Sequence, residues 1–522
     1  MTTSQTNREA CHNCRRQRLK CDRSLPQCLK CAKNGQECLG YQRFFRWEYG
    51  VASRGKMAGI TFEDMIKDQA KMHSLSLSPR PASSQQHARV WPLGSLTDPL
   101  VQDLGHAWRK YLFYFASDVC RDLVLYDSFH HNHFRDLIPL TRQYPVLLHI
   151  IIANSALHMS NASQKSSFLH TGPWGSVGST SSTIHLPNSY RDALAAKQRA
   201  LSLLKSALGS LAPADLDVAL AVVLLFIDFE LIDSGRDHWK HHIEGAKTII
   251  ETLAGSDTWT QTAMSPLRTS LISNCLVFDI IGSALSSPVD HGPRNLFPAG
   301  NLSLLQDAEG NHCSSFPACL LQLLLSGSKL SWPNHPSSPP HPSVHAKQQQ
   351  DGLSLLSTAQ NFNPLAWAMN VQPHSPATDL QHRTHIASAH QAGVCIYLSR
   401  VLLSLDSTAP IPNDLELLVR DVIIQLSLIP KSHALFKSTT WPAFIAGAET
   451  NVRDRQEWVV KRFEELWEVE PWGLIPGALG ELKKMWSSRM TVTGKFVIQD
   501  GKQHHGSWIE DLRGRGVDWL II

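Results

Sequence analysis

This 522-residue chain contains no uninterrupted apolar run long enough to cross a bilayer. Its longest apolar run, Val218 to Ile227, is far shorter than the roughly 20 residues that a membrane-spanning helix needs. The N-terminal segment MTTSQTNREACHNCR also lacks the apolar region of a secretory signal. We therefore expect an intracellular protein with no membrane partner, in a reducing compartment where disulfides are rare.

The motifs of common enzyme classes are missing as well. The sequence has no G-x-S-x-G, no H-E-x-x-H and no glycine-rich phosphate loop after a strand. Asp217, Asp228 and Glu230 are interpreted as charges at the boundaries of an apolar helix. Two histidine clusters are interpreted as surface or hydrogen-bonded groups rather than as a metal site: His130, His131 and His133, and His238, His241 and His242. The sequence therefore predicts a protein that is not an enzyme.

Residues 1–40 have almost no large apolar side chains; beyond Met1 there are only four leucines. Such a segment cannot fold by hydrophobic burial and needs a metal or another staple. Residues 1–47 also carry ten Lys and Arg against three Asp and Glu, a net charge of +7, whereas the remaining chain has a net charge of −3. This local excess predicts a polyanionic partner for the N-terminus.

Six of the eleven cysteines can supply the staple, because they follow the spacing C-x2-C-x6-C-x6-C-x2-C-x6-C. A zinc ion is satisfied by four thiolates in tetrahedral geometry, so six thiolates hold two ions only if two of them bridge both. The cysteines of this array are Cys11, Cys14, Cys21, Cys28, Cys31 and Cys38, and the basic residues between the second and third are Arg15, Arg16, Arg18 and Lys20.

Other uses of these cysteines fit the sequence less well. A redox C-x2-C pair normally accompanies a βαβ pattern, which is absent, and a disulfide scaffold requires export. Metal storage would not need the basic segment. The five remaining cysteines are scattered and are interpreted as unpaired core thiols. The array therefore predicts a binuclear zinc centre that contacts a polyanion.

The segment CHNCRRQRLKCDRSLPQCLKCAKNGQEC resembles the Zn2Cys6 binuclear cluster of fungal transcription factors. The resemblance implies that the helix after the first C-x2-C enters the major groove of double-stranded DNA end-on, over a CGG-type triplet that often occurs in paired half-sites. It also implies a set of roles for the ligands: Cys11 and Cys28 bridge both zinc ions, Cys14 and Cys21 complete one ion, and Cys31 and Cys38 complete the other.

The same resemblance assigns the DNA contacts. The family's base reader is a basic residue three positions before the third cysteine, which is Arg18 here, and arginine can pair bidentately with guanine. Gln17 departs from the family, which usually has Arg or Lys at that position, and this puts the triplet preference in doubt. Phosphate contacts, which give affinity rather than sequence preference, are assigned to Arg15, Arg16, Lys20 and Lys30.

Beyond the cysteines, the sequence predicts three regions: a Zn2Cys6 domain at 1–45, a linker at 46–97 that includes a short helix at 61–71, and an all-α domain at 98–522. Inserts near 164–188 and 326–376, rich in Ser and Gly or in Pro, Ser and His, are expected to be disordered. Strand-like alternation occurs near 491–498. Apolar periodicity predicts the helices of the all-α domain: 100–115, 144–159, 190–208, 214–232, 238–253, 264–285, 378–405, 414–428, 453–468 and 479–489.

Stretches such as FRDLIPLTRQYPVLLHIIIANSALHMS and DHWKHHIEGAKTII resemble the fungal-specific transcription factor domain of the second type. The resemblance implies an all-α regulatory domain, which in some members receives a small apolar ligand such as a sterol.

The expected function is a nuclear, sequence-specific regulator of RNA polymerase II genes, for instance of a metabolic or secondary-metabolite pathway, with the transcription machinery as a partner. The alternative is a regulator gated by a small-molecule effector. A homodimer stays open, because no heptad pattern follows the cluster.

Overall fold

The structure is a computed structural model. It describes residues 10, 11, 14, 17–24, 28–34, 38, 101–128, 131–170, 188–207, 215–254, 264–287, 301–331, 342–406, 414–493 and 507–522. The chain divides into two compact units, Met1–Gly94 and Ser95–Ile522. The linker predicted at 46–97 and its short helix lie outside the described residues.

The first unit has a core of thiols. Cys11, Cys14, Cys28 and Cys31 are buried, with Cys21 and Cys38 packed against them. Helix α1 spans Leu29–Lys33, and the Sγ atom of Cys28 caps its start by accepting a hydrogen bond from the backbone N–H of Cys31. A core in which sulfur takes the place of hydrocarbon is what a metal-stapled module requires.

Most of the described residues of the second unit are helical, and the expected all-α fold is confirmed. Its only β-type pairings in the described ranges are the isolated bridges Val124–His312 and Arg236–Trp519. The α-helices are α2 (His106–Tyr114), α3 (Cys120–Asp122), α4 (Pro145–His170), α5 (Asn188–Ala207), α6 (Leu216–Asp233), α7 (Trp239–Ala254), α8 (Pro266–Leu285), α9 (Asn301–Glu309), α10 (Ala318–Leu330), α11 (Pro342–Gln360), α12 (Pro364–Val371), α13 (Leu380–Leu405), α14 (Leu415–Ser427), α15 (Thr440–Glu449), α16 (Arg453–Val469), α17 (Leu474–Thr493) and α18 (Trp508–Gly514).

Two helices form the centre of this unit. Every residue of α6 from Val218 to Ile232 is buried, which is typical of a helix that is apolar on all sides. Helix α13 packs against α10, α11, α12, α14 and α15. By length and composition α13 is apolar enough to cross a membrane, but 78% of its most apolar window is buried inside the unit. It is therefore a core helix.

The helices predicted from apolar periodicity are confirmed, although several ends differ. Helix α4 continues to His170 and so enters the insert predicted at 164–188; residues 171–187 lie outside the described ranges. Helix α17 begins at Leu474 and continues through Thr493. The strand-like alternation predicted at 491–498 is therefore wrong for its first three residues, and the rest of it is not described.

The disordered insert predicted at 326–376 is wrong over most of its length. Helix α10 extends to Leu330, and α11 and α12 occupy Pro342–Gln360 and Pro364–Val371. The prediction rested on composition averaged over the segment, but Pro342 and Pro364 begin helices, a position that tolerates proline. Leu356 and Trp367 are buried, so each helix contributes an apolar face that the average concealed.

The interpretation of Asp228 and Glu230 as boundary charges is also wrong. Both are buried within α6, because the apolar pattern continues past them to Ile232. Glu230 accepts a hydrogen bond from Lys197 at 2.7 Å. The Oδ2 atom of Asp228 has no hydrogen-bond partner among the described residues, and burial raises the pKa of this carboxyl well above its usual value. Asp217 does lie at the helix end, where it pairs with Arg268.

Candidate metal centre

Two groups of four cysteines bring their Sγ atoms within 4.8 Å of one another. Cys11 and Cys28 belong to both groups. Cys14 and Cys21 complete the first group, and Cys31 and Cys38 complete the second. All six cysteines of the array are thus brought together, in two tetrads that share an edge.

The sulfur spacing fits tetrahedral zinc. A Zn–S bond of about 2.3 Å places neighbouring sulfurs about 3.8 Å apart in a tetrahedron. The Sγ atoms of Cys11 and Cys28 are 3.5 Å apart, and those of Cys11 and Cys31, and of Cys14 and Cys28, are 3.8 Å apart. The residues present can therefore hold two zinc ions that share two sulfurs.

Backbone N–H groups surround the sulfurs and favour their charged form. Cys14 donates its N–H to the Sγ of Cys11, and Cys11 donates its own N–H to the Sγ of Cys21, both at 3.5 Å. Each C-x2-C turn creates this geometry, because the same bond joins Cys31 to Cys28 at 3.3 Å.

Burial has the opposite effect on the thiols. It raises the pKa of Cys11 to about 12 and also raises the pKa of Cys14 and Cys28. Burial alone would raise the pKa of Cys21, but the N–H groups of Cys11 and Arg23 outweigh it and lower that pKa to about 7. Three of the thiols therefore keep their protons at neutral pH unless a metal cation displaces them, so zinc binding must release protons.

Asp22 joins the two halves of the array, a role that the sequence analysis missed. Its carboxylate accepts hydrogen bonds from the backbone N–H groups of Leu29 and Lys30, both at 3.0 Å, at the start of α1. The Ser24 hydroxyl also donates to it. These bonds, that of Ser24 first, lower the pKa of Asp22. A carboxylate seven residues before a helix gives no capping signal in the sequence, since it is brought there by the metal-binding turn.

Arg18 ends the turn that follows Cys14. Its φ is 54°, in the left-handed region, and the N–H of Leu19 donates to the carbonyl of Cys14 at 2.8 Å. This is the bond of a Schellman motif, in which the left-handed residue is usually glycine because a side chain costs energy there. The arginine predicted to read DNA bases therefore has a backbone conformation that is unfavourable for any residue with a side chain.

A second arginine, Arg23, has the same conformation, with a φ of 63°. The two halves of the array repeat at an interval of 17 residues, from Cys11 to Cys28. The residues 17 positions after Arg18 and Arg23 are Gly35 and Gly40. At both positions the first half thus has arginine where the repeat has glycine. This comparison of the two halves could have identified Arg23, from the sequence alone, as a second arginine in a left-handed position.

The other predicted DNA contacts are only partly described. Lys20 and Lys30 are exposed, as are Arg18 and Arg23, and Lys30 lies on α1. The predicted phosphate contacts Arg15 and Arg16 lie outside the described residues. The exposed basic side chains thus lie on the outside of the thiol core, where they can reach a nucleic acid.

Comparison with known proteins gives two family matches. Residues 9–48 match the fungal Zn(2)-Cys(6) binuclear cluster domain, and residues 110–520 match the fungal specific transcription factor domain. The acriflavine sensitivity control protein acr-2 of Neurospora crassa is 29% identical, over 98% of this chain and 97% of that protein. No solved structure matches the chain.

These matches agree with the geometry of the first unit. The cluster binds two zinc ions and is a DNA-binding module, and the helical unit is a domain of transcription regulators, a class that is generally non-enzymatic. The two matched regions stand in the same order as in the sequence prediction. The chain belongs to the family of fungal-specific transcription factors that carry an N-terminal Zn2Cys6 cluster.

Proposed function

We propose that this protein acts in the nucleus as a sequence-specific regulator of RNA polymerase II genes, and that Arg18 reads a CGG-type triplet. The observation that carries the proposal is the left-handed backbone of Arg18 at the end of the turn after Cys14. A non-glycine residue in this conformation costs about 1 kcal/mol. A guanidinium that pairs with guanine O6 and N7 supplies about 1–3 kcal/mol of discrimination between bases, which gives an arginine at this unfavourable position a function outside the fold.

The remaining basic residues supply affinity. Arg15, Arg16, Lys20 and Lys30 contact phosphates in this proposal, and Arg23 joins them because it carries the same backbone cost as Arg18 in the same half. Between Cys11 and Cys21 there are four basic and no acidic residues, whereas the corresponding stretch of the second half contains Lys30, Lys33 and Glu37. The first half therefore supplies most of the contacts with DNA, and the second half adds that of Lys30.

The zinc ligands follow the two sulfur tetrads. Cys11 and Cys28 bridge both ions, while Cys14 with Cys21, and Cys31 with Cys38, complete one ion each. The sulfur geometry supports this division, because only the bridging pair belongs to both tetrads. The proposed boundaries are 1–45 for the DNA-binding domain, 46–97 for the linker and 98–522 for the regulatory domain.

Fluorescence anisotropy with the full-length, zinc-loaded protein tests the proposal. A labelled duplex with one CGG triplet should bind at least tenfold more tightly than a scrambled duplex of the same composition, at a fixed salt concentration. Equal affinity for the two duplexes would overturn the proposed base reading. Duplexes with two triplets at different spacings test for a homodimer, whose binding should depend on spacing.

The regulated genes are proposed from the relative. Its name concerns control of acriflavine sensitivity, and we infer that this chain regulates genes that determine sensitivity to a toxic compound. A metabolic or biosynthetic pathway is the alternative. Genome-wide mapping of the bound sites in the host distinguishes the two sets of genes. If the protein regulates sensitivity to a toxic compound, the sites should lie near genes whose deletion changes acriflavine sensitivity.

A small-molecule receptor is the second candidate function, and a cavity of about 710 Å³ in the helical unit favours it. This volume lies within the range of ligand pockets. Asparagine, serine, threonine and histidine side chains line much of the cavity, which suits a sterol-like effector less well than the sequence prediction assumed. The test is whether an added compound changes expression of a reporter gene that depends on this protein.

A further inference from the structure

Arg23 lies in the stretch that joins the two halves of the cysteine array, and its φ of 63° is unfavourable for a residue with a side chain. Such a conformation persists only where the surrounding contacts determine it. The first of these contacts involves the cluster, because the backbone N–H of Arg23 faces the Sγ of Cys21. The backbone of Arg23 is therefore held beside one of the six cysteines.

Asp22, the residue before Arg23, makes the second contact. Its Oδ2 atom accepts the backbone N–H of Leu29, and its Oδ1 atom accepts that of Lys30, both at 3.0 Å. Leu29 and Lys30 begin α1 and lie between two buried cysteines of the array, so the cluster itself fixes this part of the helix. Asp22 thus fastens one side of Arg23 to a rigid element.

Ser24, the residue after Arg23, makes the third contact. Its hydroxyl donates to the Oδ2 atom of Asp22, and the same hydroxyl accepts the backbone N–H of Leu29 at 3.3 Å. The backbone N–H of Ser24 also donates to Asp22 Oδ2, at 3.4 Å. Together the two residues, named here the Asp22–Ser24 clasp, fasten both chain neighbours of Arg23 to the start of α1.

The guanidinium of Arg23 takes no part in the clasp. The carboxylate of Asp22 is engaged by two backbone N–H groups and by the hydroxyl of Ser24. No ion pair of Asp22 or Arg23 occurs within the described part of the chain, and Arg23 is exposed. The adjacent acid therefore does not neutralise the arginine, whose charge stays available to a phosphate.

A fixed backbone at Arg23 lowers the cost of binding DNA. A side chain on a loose segment must be ordered when it meets its partner, and this loss of freedom reduces the affinity. A backbone that is held in advance has lost that freedom during folding. Because a phosphate contact adds affinity for every sequence, the clasp should affect general affinity and its salt dependence rather than base preference.

The charge of Asp22 gives this role a distinctive sign. Asp22 is exposed, and it is the only acidic residue between Cys11 and Cys31. A carboxylate on a surface that binds DNA is repelled by the phosphates, so on charge alone its removal should strengthen binding. If Asp22 holds Arg23 in place, its removal should instead weaken binding.

We propose that Asp22 and Ser24 are positioning residues for DNA binding: the clasp holds Arg23 where its guanidinium meets a phosphate of the duplex, and neither clasp residue touches the DNA. The inference rests on the phosphate contact that the proposed function assigns to Arg23. It goes further, because it gives an acidic residue of the DNA-binding module a part in the affinity for a polyanion.

Fluorescence anisotropy with the full-length, zinc-loaded protein and the scrambled duplex, at about 50 to 200 mM salt, tests the clasp. Ser24→Ala breaks it without a change of charge and should weaken binding about twofold to threefold. Asp22→Ala should weaken binding about threefold to tenfold, although it removes a negative charge, and should reduce the salt dependence by up to about one phosphate contact. Ser24→Thr keeps the hydroxyl and should bind as the wild type does.

Arg23→Gly separates positioning from a general effect on the fold. Glycine adopts a φ of 63° without cost, and the variant lacks the guanidinium, so it should bind about threefold to tenfold more weakly than the wild type. In the Arg23→Gly background, Ser24→Ala should have no further effect and Asp22→Ala should no longer weaken binding. Zinc content, measured by mass spectrometry, should equal that of the wild type in Ser24→Ala and Arg23→Gly.

Three results would overturn the inference: tighter binding by Asp22→Ala, equal weakening by Ser24→Ala with and without Arg23, or wild-type affinity in Arg23→Gly. If Asp22→Ala loses zinc, Ser24→Ala decides the question by the same comparison. Equal affinity of the wild type for the CGG and scrambled duplexes would instead overturn the base reading of the proposed function. That result would leave the clasp standing, because the scrambled duplex reports contacts with phosphates.

Discussion

Arg383 and Asp379 form an ion pair whose side chains are both completely buried, with Nη2 and Oδ2 2.8 Å apart. Arg383 also donates to the carbonyl of Glu309 at 2.9 Å and to the hydroxyl of Ser315 at 3.2 Å. The hydroxyl of Tyr126 donates to Asp379 at 2.5 Å. Buried charges are tolerated when their hydrogen-bonding groups are satisfied in this way. The pair thereby fixes the start of α13 to the end of α9, at the edge of the cavity.

We expect Asp379→Asn to lower the free energy of unfolding of the helical unit by about 3–5 kcal/mol, because it leaves the buried guanidinium without a counter-charge. Urea denaturation followed by circular dichroism measures the loss. Glu457→Gln is the control, since Arg453 and Glu457 have the same i, i+4 spacing but side chains that are 82% and 66% exposed. Glu457→Gln should lower the free energy of unfolding by no more than about 0.5 kcal/mol. Equal losses in the two variants would contradict the role of burial.

The shared position of Cys11 in both sulfur tetrads gives a second prediction. Cys11→Ala leaves each tetrad with three sulfurs, whereas Cys14→Ala leaves the second tetrad complete. Both side chains are buried, so the two substitutions are matched in their packing. We expect zinc content, measured by mass spectrometry after gel filtration, to fall from two ions per chain to about one in Cys14→Ala and below one in Cys11→Ala.

The opposite ranking would show that Cys14, rather than Cys11, bridges the ions. Equal zinc content in the two variants would contradict an edge-shared centre altogether. Titration with acid adds an independent readout, because burial raises the pKa of Cys11 and Cys28 and the metal must compete with their protons. Zinc should leave the wild-type cluster as the pH falls.

Arg18→Gly separates the fold of the zinc module from its DNA recognition. Glycine adopts a φ of 54° without cost, so zinc retention against a chelator should be equal to or better than that of wild type, by about 1 kcal/mol. The variant loses the guanidinium, so its preference for CGG over scrambled duplex should fall by about 1–3 kcal/mol. Weaker zinc retention would contradict the strain at Arg18, and unchanged preference would contradict its role as base reader.

Lys30→Ala is the matched control for that measurement. Lys30 is exposed on α1 and is proposed to contact a phosphate. Its loss should weaken binding to both duplexes equally and reduce the salt dependence by about one phosphate contact, without changing base preference. A change of preference in Lys30→Ala would assign base reading to the second half of the cluster.

The zinc module was the more predictable part of this protein. Five cysteine intervals define a ligand set regardless of how the rest folds, and the tetrads that share Cys11 and Cys28 agree with the roles that the resemblance implied. Asp22 could not be predicted in the same way. Its bonds to Leu29 and Lys30 depend on where the metal places the chain, which is not encoded in local propensity.

In the helical unit the sequence predicts which segments are helices better than it predicts what their polar residues do. Apolar periodicity identifies α6, yet it cannot distinguish a carboxylate at the end of a helix from one such as Asp228 inside it. The cavity was missed for a related reason. Thr269, Asp307 and Asn370 line it together only because helices distant in sequence end at one place, and no spacing along the chain records that meeting.

Asp228 itself provides the last prediction. Its pKa is raised in the folded protein, whereas an aspartate in an unfolded chain titrates near 3.9. Between these values the folded state binds the additional proton, so this residue makes stability fall as the pH rises above about 4. Asn is the neutral isostere of the protonated acid. Asp228→Asn should therefore stabilise the helical unit at pH 7, on the order of 1–3 kcal/mol, and should have little effect at pH 4.

Thermal unfolding at pH 4, 5.5 and 7 measures this difference. The control is Asp217→Asn, which removes the partner of Arg268 near the surface at the start of the same helix and should destabilise slightly or leave stability unchanged at pH 7. A lower midpoint for Asp228→Asn at pH 7 would mean that the carboxylate is ionised and partnered in the folded protein. A gain that grows with pH would identify Asp228 as a buried acid that the domain tolerates at a cost in stability.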